Sequence, residues 1–120
     1  MDATKQSWQA VARVDDVISD APLEVPMGNA VFILVRGDDE IIAYQETCPH
    51  AAARLGGGRV IDGWLRCPHH MAMFRLSDGV CGKGWVLPAL RRYAVKVEDG
   101  AVYLSDPPRL VIDIESNPPH

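Results

Sequence analysis

Two short runs constrain this chain more than anything else in it: Cys48-Pro49-His50 and Cys67-Pro68-His69-His70. Each offers a thiolate and an imidazole, with His50 two positions after Cys48 and His70 three positions after Cys67. Four such donors, carried on two hooks, can supply the ligands of one metal centre. The chain therefore implies a bound cofactor.

Length bounds what that cofactor can sit in. A chain of 120 residues, 48% of them hydrophobic, suffices for one domain that buries roughly two thirds of its unfolded surface, and is too short for two. The longest uninterrupted apolar run, Ala30 to Val35, is six residues, against the roughly 20 that a bilayer requires. The opening Met1-Asp2-Ala3-Thr4-Lys5-Gln6-Ser7 has no apolar secretory core. The expectation is a soluble, cytoplasmic protein with no membrane partner. A net charge of −4 argues against general binding to nucleic acid, whose phosphates demand a basic surface. Three cysteines cannot all pair with one another, and in a reducing compartment a Cys/His group is more often a metal site than a disulfide framework. Cys81 has no His at hook spacing and reads as a small buried or half-buried thiol; His69 is out of pattern and reads as exposed.

The rest of the chain reads as strands and turns. Trp8 to Val14 alternates loosely, while Ala30 to Val35 and Ile41 to Thr47 flank Gly37-Asp38-Asp39 and predict a hairpin. Arg92 to Val97 and Ala101 to Leu104 flank Glu98-Asp99-Gly100, a strong turn signal, and predict a second. Trp64 to Cys67 and Met73 to Leu76 suit a small separate sheet. No segment sustains a helical period, so little helix is expected. In the tail, Leu110 to Ile114 suits an edge strand and Ser116 to His120 a disordered end.

Two Cys and two His suit tetrahedral zinc as well as an iron–sulfur centre, so the ligand list alone leaves both open. Zinc sites of this composition usually draw both thiolates from one pair and both imidazoles from another. Here each hook brings one of each, which fits two inequivalent metals, as in a Rieske [2Fe–2S] centre with His₂ on one iron. The chain resembles the Rieske-type ferredoxins, whose pattern is Cys-x-His, about sixteen residues, then Cys-x-x-His; Ala51 to Arg66 supply that spacing. Leu55, Gly58, Phe74, Gly79, Gly84, Leu90, Tyr93 and Val95 also match the family, so the resemblance covers roughly Trp8 to Leu104. Two positions depart from it: Met71 stands where the family usually has Gly, and Trp85 follows Gly84 where it has Pro.

The resemblance implies an all-β, Rieske-like fold: an antiparallel β-sandwich or partly open barrel with a small cluster-binding subdomain inserted. It implies one Rieske domain over 1–120, with the subdomain at about 46–88 and a C-terminal extension at about 105–120. It further implies one [2Fe–2S] cluster, with Cys48 and Cys67 on the inner iron and His50 and His70 on the outer. High-potential members add a Cys to each hook and hydroxyls near the cluster; Ala53, His69, Ala72 and Phe74 occupy those positions here. Without those hydrogen bonds the potential should lie near the low end of the roughly −150 to +300 mV Rieske range.

A soluble, low-potential member resembles the ferredoxin components of bacterial ring-hydroxylating oxygenase systems. The implied role is a one-electron carrier, not itself an enzyme. Its partners would be a flavin-dependent ferredoxin reductase using NAD(P)H and a terminal oxygenase, docking transiently at the cluster end. Residues 48 to 85 hold Arg54, Arg59, Arg66, Arg75 and Lys83 against Asp62 and Asp78, net +3, leaving −7 for the remainder. A basic collar of this kind would steer acidic partners toward the cluster. The alternatives are a small Rieske-like subunit of a nitrite reductase, which usually lacks some of the ligands, and a zinc-stabilised interaction module.

Overall fold

The computed structural model describes residues 7–37, 40–49, 54–68, 72–82 and 87–111. Among them the regular structure is strand, apart from two single 3₁₀ turns at Val14–Asp16 and Leu55–Gly57. Ten strands follow in order: β1 (Ser7–Arg13), β2 (Leu23–Met27), β3 (Ala30–Arg36), β4 (Ile41–Gln45), β5 (Arg59–Ile61), β6 (Trp64–Arg66), β7 (Met73–Arg75), β8 (Arg92–Tyr93), β9 (Val95–Glu98) and β10 (Ala101–Asp106). They form three sheets, ordered β1-β10-β9, β2-β3-β4-β8 and β5-β6-β7. Every pairing is antiparallel.

The β3–β4 hairpin explains the last four residues of the apolar run, Phe32 to Val35, while Ala30 and Val31 are exposed. Phe32, Leu34, Ile41 and Ala43 point into one core, with Val17, Val25, Val102 and Leu104. Ile33, Val35, Ile42 and Tyr44 point into the other, beneath the small β5-β6-β7 sheet. A strand buried on both faces reads as a continuous apolar run and not as an alternation. At the hairpin's end the Gly37 N–H donates to the Glu40 carbonyl at 2.8 Å, while Asp38 and Asp39 of the predicted turn lie outside the described residues.

The second predicted hairpin forms with its Asp-Gly turn. Asp99 at φ 53° and Gly100 at φ 78° take the paired positive angles that suit a tight turn between twisted strands. The expected strand Arg92 to Val97 is nevertheless divided. Arg92 and Tyr93 pair with β4, Val95 to Val97 pair with β10, and Ala94 lies between. The Ala94 N–H instead donates to the Arg109 carbonyl at 2.9 Å. The chain thus passes from one sheet to the other within a single apolar segment, a change that composition does not mark.

Two strands are absent from the sequence reading. β2 contains Pro26, and it is an edge strand, where a missing N–H is tolerated. β5 is only three residues long, yet it is joined to β6 by Asp62-Gly63, both at positive φ, and that dipeptide was a usable turn signal. In the tail, Leu110 forms an isolated bridge to Tyr93. Ile112 to Ile114 and Ser116 to His120 lie outside the described residues.

The small sheet is fastened to the hairpin through one buried hydrogen bond. Tyr44, with no exposed surface, donates its hydroxyl to the Leu76 carbonyl at 2.7 Å. Burial pushes its phenol pKa up to about 12. Because the folded value lies above the ordinary one, this contribution to stability is complete below about pH 10 and is lost as pH rises toward 12. Tyr44→Phe leaves the Leu76 carbonyl without its donor and should cost about 1–2 kcal/mol in denaturant unfolding. The loss of stability between pH 10 and 12 should also be smaller in the variant.

Candidate cluster-binding site

The two hooks start from strands of different sheets. The first leaves β4 through Thr47, and the second joins β6 to β7. Each hook is closed at its neck by backbone bonding. In the first, the Leu55 N–H donates to the Glu46 carbonyl at 2.7 Å and Thr47 bridges Arg54. In the second, the Cys67 N–H donates to the Ala72 carbonyl at 2.8 Å. Cys48 and Cys67 are 2% and 0% exposed, and both belong to the buried cluster that holds Leu55, Leu65, Ala72 and Phe74. The structure therefore brings the two predicted thiolate ligands into one apolar environment. His50 and His70 lie outside the described residues, as do Ala53, His69, Met71, Gly84 and Trp85. Among the described residues no group of three or more His, Cys, Asp or Glu is arranged to hold a metal.

Glycine enforces the approach of the hooks. A Cβ on Gly58 would collide with the Arg66 carbonyl oxygen, one residue before Cys67. The Gly58 N–H also donates to the Leu55 carbonyl at 2.9 Å, closing the 3₁₀ turn that follows the first hook. The family-matching pair Leu55 and Gly58 thus acquires a physical reason. Leu55 is a fully buried plug beneath the hooks, and Gly58 is the point at which one backbone passes against the other.

An ion-pair clamp absent from the sequence reading braces the first neck. Arg54 Nη2 lies 2.7 Å from Glu24 Oε1 on β2, and Arg54 Nε lies 3.0 Å from Glu46 Oε2 beside β4. The Glu46 carboxyl, hydrogen-bonded to Glu24 and partly buried, is held above its ordinary pKa. Glu24, accepting from Glu46 and from Arg54, is held below it. Glu24 is thirty positions from Arg54 in sequence, so nothing local could have revealed the pairing.

The clamp also changes the picture of a basic collar. Arg54 is committed to two carboxylates, and Arg75 is paired with Asp78 at 2.7 Å. Lys83 lies outside the described residues. Of the five cations, Arg59 and Arg66 remain without an ion pair among the described residues. Cys81 is half-buried and packs against the hook core, with its Sγ 3.6 Å from the Gly82 carbonyl oxygen.

Two thiols buried in one apolar cluster are soft sulfur donors shielded from water, which suits iron–sulfur ligation. The family model for the Rieske [2Fe-2S] domain matches residues 7–96. The chain belongs to that family. Its family's cofactor is a [2Fe–2S] cluster, and the buried cysteine pair fits it. Among relatives of this Rieske domain, the anthranilate 1,2-dioxygenase ferredoxin subunit of Burkholderia cepacia is 29% identical, over 84% of this chain and 94% of that one. The ferredoxin component of the naphthalene 1,2-dioxygenase/salicylate 5-hydroxylase systems of Ralstonia sp is also 29% identical, over 82% and 95%. A chain from the complex of reduced oxygenase and oxidized ferredoxin in carbazole 1,9a-dioxygenase superposes with a TM-score of 0.76 at 24% identity, covering 88% of this Rieske domain and 97% of that chain. Among the described residues no helix is long and apolar enough to cross a membrane.

Gly58→Ala should force the two necks apart. The expected result is a loss of about 1–3 kcal/mol in unfolding free energy, as for an overpacked core, with iron content per chain falling in the purified protein.

Proposed function

We propose that this Rieske domain is a one-electron carrier, delivering electrons to the terminal oxygenase of a ring-hydroxylating system. The observation that supports this best is the pairing of Cys48 and Cys67 in one buried core, each at the start of a hook that also carries a His. In this reading Cys48, His50, Cys67 and His70 would hold the cluster, the two thiolates and the two imidazoles serving as its four ligands. When bound, the cluster supplies a site that takes up and releases one electron.

The chain's own residues set the conditions for that exchange. The two necks fix the spacing of the hooks, Leu55 and Phe74 exclude water from the cysteine side, and Ala72 holds the Cys67 N–H. Two relatives covered almost end to end are ferredoxin components of dioxygenase systems, which favours a carrier over a nitrite reductase subunit. The same reading gives the chain no catalytic turnover of its own. It assigns the electron supply to a flavin-dependent, NAD(P)H-using ferredoxin reductase and places the exchange in the cytoplasm, where reducing conditions keep thiols available for metal.

Low-temperature EPR of the dithionite-reduced protein, with iron and acid-labile sulfide analysis, tests the reading. The expected result is a rhombic signal with iron and sulfide in equal amounts. A colourless, EPR-silent protein carrying stoichiometric zinc would support a structural metal module instead.

The cysteine surroundings also predict a potential. Ala72 and Phe74 are both fully buried beside the cysteines and bring no hydroxyl to them. The midpoint potential should lie near the low end of the roughly −150 to +300 mV range. The double variant Ala72→Ser, Phe74→Tyr should raise it, as protein-film voltammetry would read, because donors to sulfur stabilise the reduced, more negative state.

A further inference from the structure

The small sheet has two faces, and only one is used by the fold. Val60, Leu65 and Phe74 point inward to the hook core. Their neighbours along β5, β6 and β7 point outward, in two cross-strand rows. One row is Arg59, Arg66 and Met73, and the other is Ile61, Trp64 and Arg75.

The charge on this outer face is unusual. Arg59 and Arg66 are direct cross-strand partners, and like charges placed opposite one another in a sheet are destabilising. Among the described residues neither has a carboxylate within ion-pair distance, whereas Arg54 and Arg75 do. Apolar surface lies beside the pair. Ile61 is 39% exposed, and Trp64, Met73 and Cys81 line a groove of about 490 Å³. The face is also continuous with the second hook, because Arg66 immediately precedes Cys67 and Met73 follows Ala72 at the hook's other neck.

The geometry points to this outer face as a docking surface for the oxygenase, through an oxygenase patch that sets carboxylates against the Arg59–Arg66 pair and an apolar side chain in the Trp64–Met73 groove. The inference rests on the carrier reading and adds to it where and by what chemistry the partner binds. An acidic partner relieves the repulsion between the two guanidiniums that the isolated chain leaves in place. It also covers apolar surface that water otherwise wets. Because the face adjoins a neck of the second hook, a protein seated there lies beside a cluster ligand. Such contacts are small and transient, with charge acting mainly on the rate of encounter.

The test follows electron delivery from the reduced, cluster-loaded chain to the purified oxygenase of carbazole 1,9a-dioxygenase by stopped-flow spectroscopy, at low and high ionic strength. Four proteins are compared: wild type, Arg59→Glu/Arg66→Glu, Arg59→Gln/Arg66→Gln, and Arg109→Glu as a charge reversal on an exposed residue of the body. Unchanged cluster absorption and EPR establish that each variant is folded and loaded. The second-order rate at low salt should fall about tenfold or more for the double Glu variant and less for the double Gln variant. It should be unchanged for Arg109→Glu, and the differences should shrink as salt screens the pair. Rates within twofold of wild type in the double Glu variant, or an equal loss in Arg109→Glu, would overturn the docking surface and leave the carrier reading standing. Wild-type dimers that dissociate on Arg59→Glu/Arg66→Glu, with the transfer rate unchanged, would overturn it in favour of a second copy of this chain. A loaded wild type that delivers no electrons to that oxygenase at either ionic strength would overturn this docking surface, whereas a chain that takes up no reducible cluster would overturn the carrier reading.

Discussion

The structure depends on a hairpin that is apolar on both sides. β3 and β4 form a wall shared by two cores, one closed by the β1-β10-β9 sheet and the other by the hooks and the small sheet. A two-faced strand pair has no solvent side, so a one-residue slip would exchange the contents of the two cores rather than expose either. Phe32 and Leu34 would then meet the hooks, and Ile33 and Val35 the body. The different shapes of those side chains, with Tyr44 fixed to the Leu76 carbonyl, hold the register. The cysteines inherit their position from this wall, because the first hook leaves directly from β4 and the second is carried by strands packed on the wall's outer face.

Around the cysteines, different interactions do different work. Apolar packing of Leu55, Leu65 and Phe74 decides where the sulfurs sit. Backbone hydrogen bonds at the two necks decide how far apart the hooks stand, and Gly58 decides how closely the chains cross. Charge acts at a longer remove. The Glu24–Arg54–Glu46 clamp ties the first neck to β2 and removes Arg54 from the positive surface, while Asp78 does the same for Arg75. A count of charges along residues 48 to 85 therefore overstates the field near the hooks, because Arg54 is matched by Glu24 and Glu46 from outside that segment.

Much of this was legible in the sequence, and the limits have physical causes. The hook pattern, the β3–β4 hairpin and the Asp99-Gly100 turn were readable because each is local: a spacing, an apolar run, a dipeptide with a fixed backbone preference. β5 was missed because three residues carry too little pattern, although Asp62-Gly63 marked its turn. The division of Arg92 to Glu98 between two sheets was illegible, since both halves are equally β-prone and the switch at Ala94 is fixed by partners on β4, on β10 and in the tail. The clamp was illegible for a similar reason, because it joins residues that only the folded chain brings together. Of the four predicted ligands, Cys48 and Cys67 can be placed in the structure, while His50 and His70 lie outside its described residues.

The crossing at Ala94 has a further consequence. Two stacked sheets joined only by loops can slide or part like the covers of a book. Here one short length of chain is a rung of both, hydrogen-bonded to β4 on one side of Ala94 and to β10 on the other, and Ala94 itself is held by the Arg109 carbonyl. That stitch makes the body a single stiff frame. In the carrier reading, such a frame has little to rearrange when one electron is gained or lost, and low reorganisation is what rapid traffic of single electrons requires.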